Sequence, residues 1–108
     1  MEKSMLADLV QDLLQVLEDK ALRIVLYGST ARGSNTPDSD IDIAVFVKTK
    51  LDSETDDLLS DIVVDLNLKY DRVFSVIDIE EMNYQKWREV LPFYQNVDKE
   101  GIVLWKAA

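Results

Sequence analysis

Residues 26 to 47, Leu26-Tyr27-Gly28-Ser29-Thr30-Ala31-Arg32-Gly33-Ser34-Asn35-Thr36-Pro37-Asp38-Ser39-Asp40-Ile41-Asp42-Ile43-Ala44-Val45-Phe46-Val47, join a strand end, a glycine-serine turn, a polar loop and a second strand. The apolar run from Ile24 to Tyr27 reads as a buried strand, and a turn directly after a strand can point its backbone N–H groups outward. Such a turn suits an anion. Gly28 lets the backbone approach a phosphate with no side chain in the way, Ser29 offers a hydroxyl, and a short helix beginning there would aim its positive end at the same point. Arg32 supplies charge and Gly33 a bend. Beyond Pro37 the chain enters Ser39 to Val47, which alternates polar with apolar and then becomes almost wholly apolar, a strand that starts wet and ends buried. Asp40 and Asp42 stand at i and i+2, so both carboxylates project from one face, roughly 6 to 7 Å apart at the backbone. Oxygen ligands at that spacing suit a hard cation, Mg²⁺ or Mn²⁺, which keeps several waters and binds nucleotide phosphates through one or two carboxylates. A cation would also relieve the repulsion between the two like charges.

Gly28-Ser29, then ten residues, then Asp40-x-Asp42 resembles the signature of the DNA polymerase β-like nucleotidyltransferase superfamily, and within it the minimal nucleotidyltransferase branch. The resemblance reaches nearly the whole chain, since the strand-helix-strand order, Val76-Ile77-Asp78-Ile79-Glu80-Glu81 and the late Glu100-Gly101-Ile102-Val103-Leu104-Trp105 are similar to the family's pattern. It implies a nucleotidyltransferase fold, an α/β (α+β) domain with a small mixed β-sheet and helices packed on it. It implies that Gly28 and Ser29 hold the terminal phosphates of ATP and that Asp40 and Asp42 hold the metal ions for transfer of AMP; Arg32, with two glycines and a serine beside it, reads as a phosphate contact in preference to a surface pair with Asp38 or a helix end. Members of the branch are encoded beside a HEPN partner as toxin–antitoxin pairs, so the resemblance also implies a HEPN-type toxin as partner, silenced by AMP placed on a Tyr hydroxyl. A Gly-Ser pair alone is a common turn and an Asp-x-Asp alone is usually a solvated strand end. Their joint spacing between two strands is what carries the reading.

One position departs from the family pattern. Its third carboxylate, on a later strand, completes the metal cage and serves as base; here that strand reads Asp71-Arg72-Val73-Phe74-Ser75-Val76-Ile77-Asp78, and the acidic position falls on Ser75. A hydroxyl is a poor base. By alternation Asp78 faces the other side from Ser75, while Asp71 shares its parity but stands several residues away. Two readings therefore stay open. Catalysis persists through positioning and charge neutralisation, with the acceptor's proton leaving to water, or the domain is a non-catalytic module that neutralises its partner by contact. Nucleotidylation of a small hydroxylated molecule such as an aminoglycoside ranks last, because similar domains complete that pocket with a second helical domain.

At 108 residues the chain is expected to form a single domain, residues 1 to 108, whose acceptor lies on another molecule. With no Cys and no His there is no thiolate, imidazole base or ordinary zinc site, which excludes Ser-His and Cys-His catalysis. A net charge of −9, from 21 acidic and 12 basic residues, argues against a nucleic-acid backbone as partner. A basic protein partner suits it better, although such charge also serves simply to keep a small domain soluble. No run approaches the length of a membrane span and the N-terminus reads as an amphipathic helix, so a cytoplasmic protein without membrane association is expected.

Leu6, Leu9, Val10, Leu13, Leu14 and Leu17 recur at helical spacing and predict a helix over about 3 to 19. Ser53 with Asp56 resembles a capping box that opens a second helix through Leu58, Leu59, Ile62, Val63 and Leu66, with Asp61 and Asp65 on its solvated face. A third strand is expected over 72 to 78, a helix from about Glu80 to Val90, a short turn or helix at Phe93 to Val97, and an apolar run after Gly101. Tyr84, Trp87, Phe93 and Trp105 have the chemistry to stack an adenine, but aromatic residues in this position more often complete a core.

Overall fold

A computed structural model describes residues 3 to 28, 31, 33 and 39 to 108, with the backbone alone at Lys3. Helix α1 spans Lys3–Leu17 and tightens into a 3₁₀ turn, Glu18–Lys20; strands β1, Ala21–Tyr27, and β2, Ile41–Val47, follow. Next come α2, Ser53–Tyr70; β3, Phe74–Glu80; α3, Glu81–Trp87; α4, Pro92–Glu100; and β4, Ile102–Lys106. The sheet order is β3-β2-β1-β4, with β1 antiparallel to β2 and β4, and β2 parallel to β3. The parallel pair needs a crossover, which α2 supplies.

The central position of β2 explains its composition. Ile43 to Val47 are all buried because the strand is covered on both faces, and such strands read as continuous apolar runs. On one face α1 and α2 pack Leu9, Leu13, Leu17, Leu59 and Leu66 against Ile24, Leu26, Ile43, Val45 and Phe74. On the other, α3 and α4 bring Tyr84 and Val97 to Val25, Ala44, Phe46 and Ile79. The expected mixed sheet with helices packed on it is therefore what forms.

Several boundaries differ from the sequence reading. β1 begins at Ala21, three residues before the apolar run, because pairing with β2 extends to Val47. β3 runs from Phe74 to Glu80 rather than 72 to 78, since Asp71 caps the end of α2 in the left-handed region (φ 50°) and its N–H bonds to Asn67. The N-cap of α2 is Asp52, not Ser53: Asp52 Oδ1 accepts from the Thr55 N–H at 2.8 Å. α3 stops at Trp87, and the segment after Pro92 is a nine-residue helix with proline in its first turn. The core reading of the aromatic residues holds for Tyr84, which is buried, and in part for Trp105, which packs on the α1 side. It fails for Trp87 and Phe93, which are exposed.

Candidate active site

The two halves of the motif meet. Gly28 follows the end of β1 with φ +74°, in the left-handed region that favours glycine. A Cβ placed there would collide with Oδ2 of Asp42, so the turn and the carboxylate are in direct contact only because residue 28 has no side chain. Asp42, second residue of β2, pairs with Tyr27 on one side and with Ser75 on the other. Paired residues share a face, so Tyr27, Asp42 and Ser75 form a row across three strands. Further along, the same face buries Ala44, Phe46 and Ile79 beneath α3 and α4. The row is half-buried at the end of that covered face, and Asp40, two residues before Asp42, is exposed where the chain enters β2.

Ser75, where the family pattern is expected to carry a third carboxylate, lies beside Asp42. Asp78 projects from the opposite face, into a groove shared with Asp56, Ser60, Val63 and Phe74. Asp71 belongs to the end of α2. Neither acid joins the row. Ser29 and Arg32 lie outside the described residues; Gly33, expected as a bend, has φ +76°.

Two neighbours of the row were not singled out in the sequence. The Tyr27 phenol is pushed above its ordinary value by burial and then by the negative charge of Asp42, so it keeps its proton at neutral pH. Arg72, in the turn before β3, places Nη2 at 3.5 Å from the Ser39 carbonyl next to Asp40, and its Nε is buried without a partner among the described residues. No local signal marks either one, because Tyr27 reaches Asp42 through strand pairing and Arg72 reaches Ser39 from a distant turn.

Among the described residues no cluster of three or more acidic side chains is placed to hold a metal. The donors expected from the sequence are the pair Asp40 and Asp42. Mg²⁺ commonly takes one or two carboxylates and fills its remaining positions with water and phosphate oxygens, so two carboxylates beside an anion-accepting turn fit it.

The architecture, a mixed four-stranded sheet with helices on both faces and a glycine turn against the second strand's carboxylate, is that of a nucleotidyltransferase domain. The chain belongs to the Polymerase beta nucleotidyltransferase family, whose profile matches residues 10 to 108. It is 32% identical over 107 residues to a protein of Methanocaldococcus jannaschii named "Putative protein adenylyltransferase MJ0604", covering 96% of this chain and 98% of that protein. Among solved structures, it superposes on a chain of a toxin–antitoxin complex with AMP-PNP at a TM-score of 0.63 and 26% identity, covering 93% of this chain and 73% of that one. A chain from the complex of a tri-AMPylated Shewanella oneidensis HEPN toxin with an MNT antitoxin shares the fold, with TM-score 0.63, 23% identity and coverage of 99% and 74%.

Proposed function

We propose that this domain transfers AMP from ATP to a tyrosine hydroxyl of a HEPN-type toxin and so acts as its antitoxin. The contact between Gly28 and the Asp42 carboxylate carries the reading, because it joins an anion-accepting turn to a cation-binding side chain. Asp40 and Asp42 would hold Mg²⁺, which when bound supplies positive charge against the phosphates. The Gly28 backbone, Ser29 and Arg32 would hold the β- and γ-phosphates. In the reaction the acceptor oxygen bonds to the α-phosphorus, the bond from that phosphorus to the bridging oxygen breaks, and pyrophosphate leaves with the electron pair. The acceptor's proton goes to water. A tyrosine acceptor suits a site with Ser75 in place of a carboxylate, since a phenol loses its proton near pH 10, far more readily than an aliphatic hydroxyl. The toxin–antitoxin complexes that share the fold support a partner of this kind.

Intact-mass spectrometry of a HEPN-type partner incubated with this chain, Mg²⁺ and ATP tests the reading. The expected result is a gain of one or more AMP units that vanishes with the Asp40→Asn/Asp42→Asn variant. Transfer that survives in the variant would overturn the site assignment. Ser75 beside Asp42 favours one rival, a module that neutralises by contact alone. A stable complex with no mass gain, and equal neutralisation by the double variant, would select that rival.

A further inference from the structure

We propose that Phe93 is the ring on which the nucleobase of the bound nucleotide stacks. This inference rests on the reading of the site as one that takes ATP, and it names a residue that the phosphate and metal chemistry leaves unused. Tyr84, Trp87, Phe93 and Trp105 are the sequence candidates for it, and the structure separates these four. Tyr84 is buried, Trp105 packs on the α1 side of the sheet, and Trp87 lies at the far end of α3. Phe93 alone of the four touches the row that contains Asp42: its ring meets Tyr27 edge-on with centroids 5.6 Å apart, and Tyr27 is the lateral neighbour of Asp42.

Phe93 is 37% exposed, and its ring stands one side chain beyond Tyr27, the neighbour of Asp42. A triphosphate seated at the Gly28 turn carries its base outward by the α-phosphate and ribose, a reach of the same order as two adjacent side chains. The ring is held in place before any ligand arrives. Pro92 fixes the first turn of α4, Gln95 Nε2 donates to the Glu89 carbonyl at 2.8 Å, and Tyr94 lies against Phe93 at 5.8 Å and against buried Tyr84 at 5.7 Å. A rigid ring with one free surface loses little entropy on stacking, and every base has a π-face to offer.

The test compares binding of Mg-ATP with binding of Mg-tripolyphosphate, which has the phosphates but no base, by calorimetry on the wild type, Phe93→Leu and Phe93→Trp. Phe93→Leu is expected to weaken ATP by roughly thirtyfold, the midrange for loss of a base–aromatic stack, and to leave tripolyphosphate unchanged. Phe93→Trp should bind ATP at least as well as wild type. Equal losses for both ligands would show a structural role and overturn the inference, as would unchanged ATP affinity in Phe93→Leu. Unchanged ATP affinity with weaker transfer to the partner would assign the ring to the acceptor instead, which also overturns it. A wild type that binds neither ligand would overturn the ATP-using reading itself, and this inference with it.

Discussion

Gly28 and Ser75 are the two residues at which small changes should have disproportionate effects. Any side chain at 28 meets two obstacles, a left-handed backbone that costs an L-residue about 1 to 2 kcal/mol and the Asp42 carboxylate in the space a Cβ would occupy. Gly28→Ala should lower the melting temperature and also abolish nucleotide binding, because relief of the clash moves the carboxylate; calorimetry on the folded variant separates the two effects. At 75 the register places a new side chain directly beside Asp42. Ser75→Asp adds a like charge to that row, so it should destabilise the domain without divalent cation and recover stability in Mg²⁺ beyond the wild-type response. Melting temperatures with and without Mg²⁺ check this, and a variant indifferent to Mg²⁺ would place the metal elsewhere. If proton removal limits transfer, the same variant should transfer AMP faster.

Elements are anchored by contacts that sequence periodicity marks only in part. The cap of α2 is an example: Asp52 accepts from the Thr55 hydroxyl and backbone N–H, and these bonds hold its carboxyl below the ordinary value of 3.8. A carboxyl depressed in the folded state contributes stability above its unfolded value, and that contribution is lost as pH falls through the folded one. Asp52→Ala should therefore melt earlier than wild type at neutral pH, with the gap closing below about pH 4; a gap that persists in acid would mean the loss is not the cap. A second contact ties α1 to α2, where Lys69 Nζ lies 2.8 Å from Asp8 and the Tyr70 hydroxyl donates to the same carboxylate. The helical spacing of α1 and the capping residues near 53 were legible because helix formation depends on neighbours within one turn. Which residue caps the helix was not, since Asp52 and Ser53 are both good caps and only the folded backbone brings Asp52 Oδ1 to the Thr55 N–H.

For the whole molecule, a net charge of −9 and the site at one end of the sheet shape how a partner arrives. A basic HEPN-type partner would be steered by this field, so its association rate should fall steeply with ionic strength while its dissociation rate changes little. Stopped-flow measurements over a salt series check this, and a salt-independent rate would assign the acidic residues to solubility alone. The described part of the chain has no helix long and apolar enough to cross a membrane. The sequence by itself determined which groups are available: a glycine-serine turn, the carboxylate pair Asp40 and Asp42, no imidazole or thiol, and Ser75 where the family pattern is expected to carry an acid. It also determined the order of helices and strands, because both patterns are set by residues near one another in the chain. Only the tertiary structure decided that Tyr27, Asp42 and Ser75 share a row, that Gly28 touches Asp42, and that Phe93 faces solvent while Tyr84 does not. Those facts depend on strand register and on which helix covers which face, and they are fixed by pairing between segments whose separation no local spacing encodes.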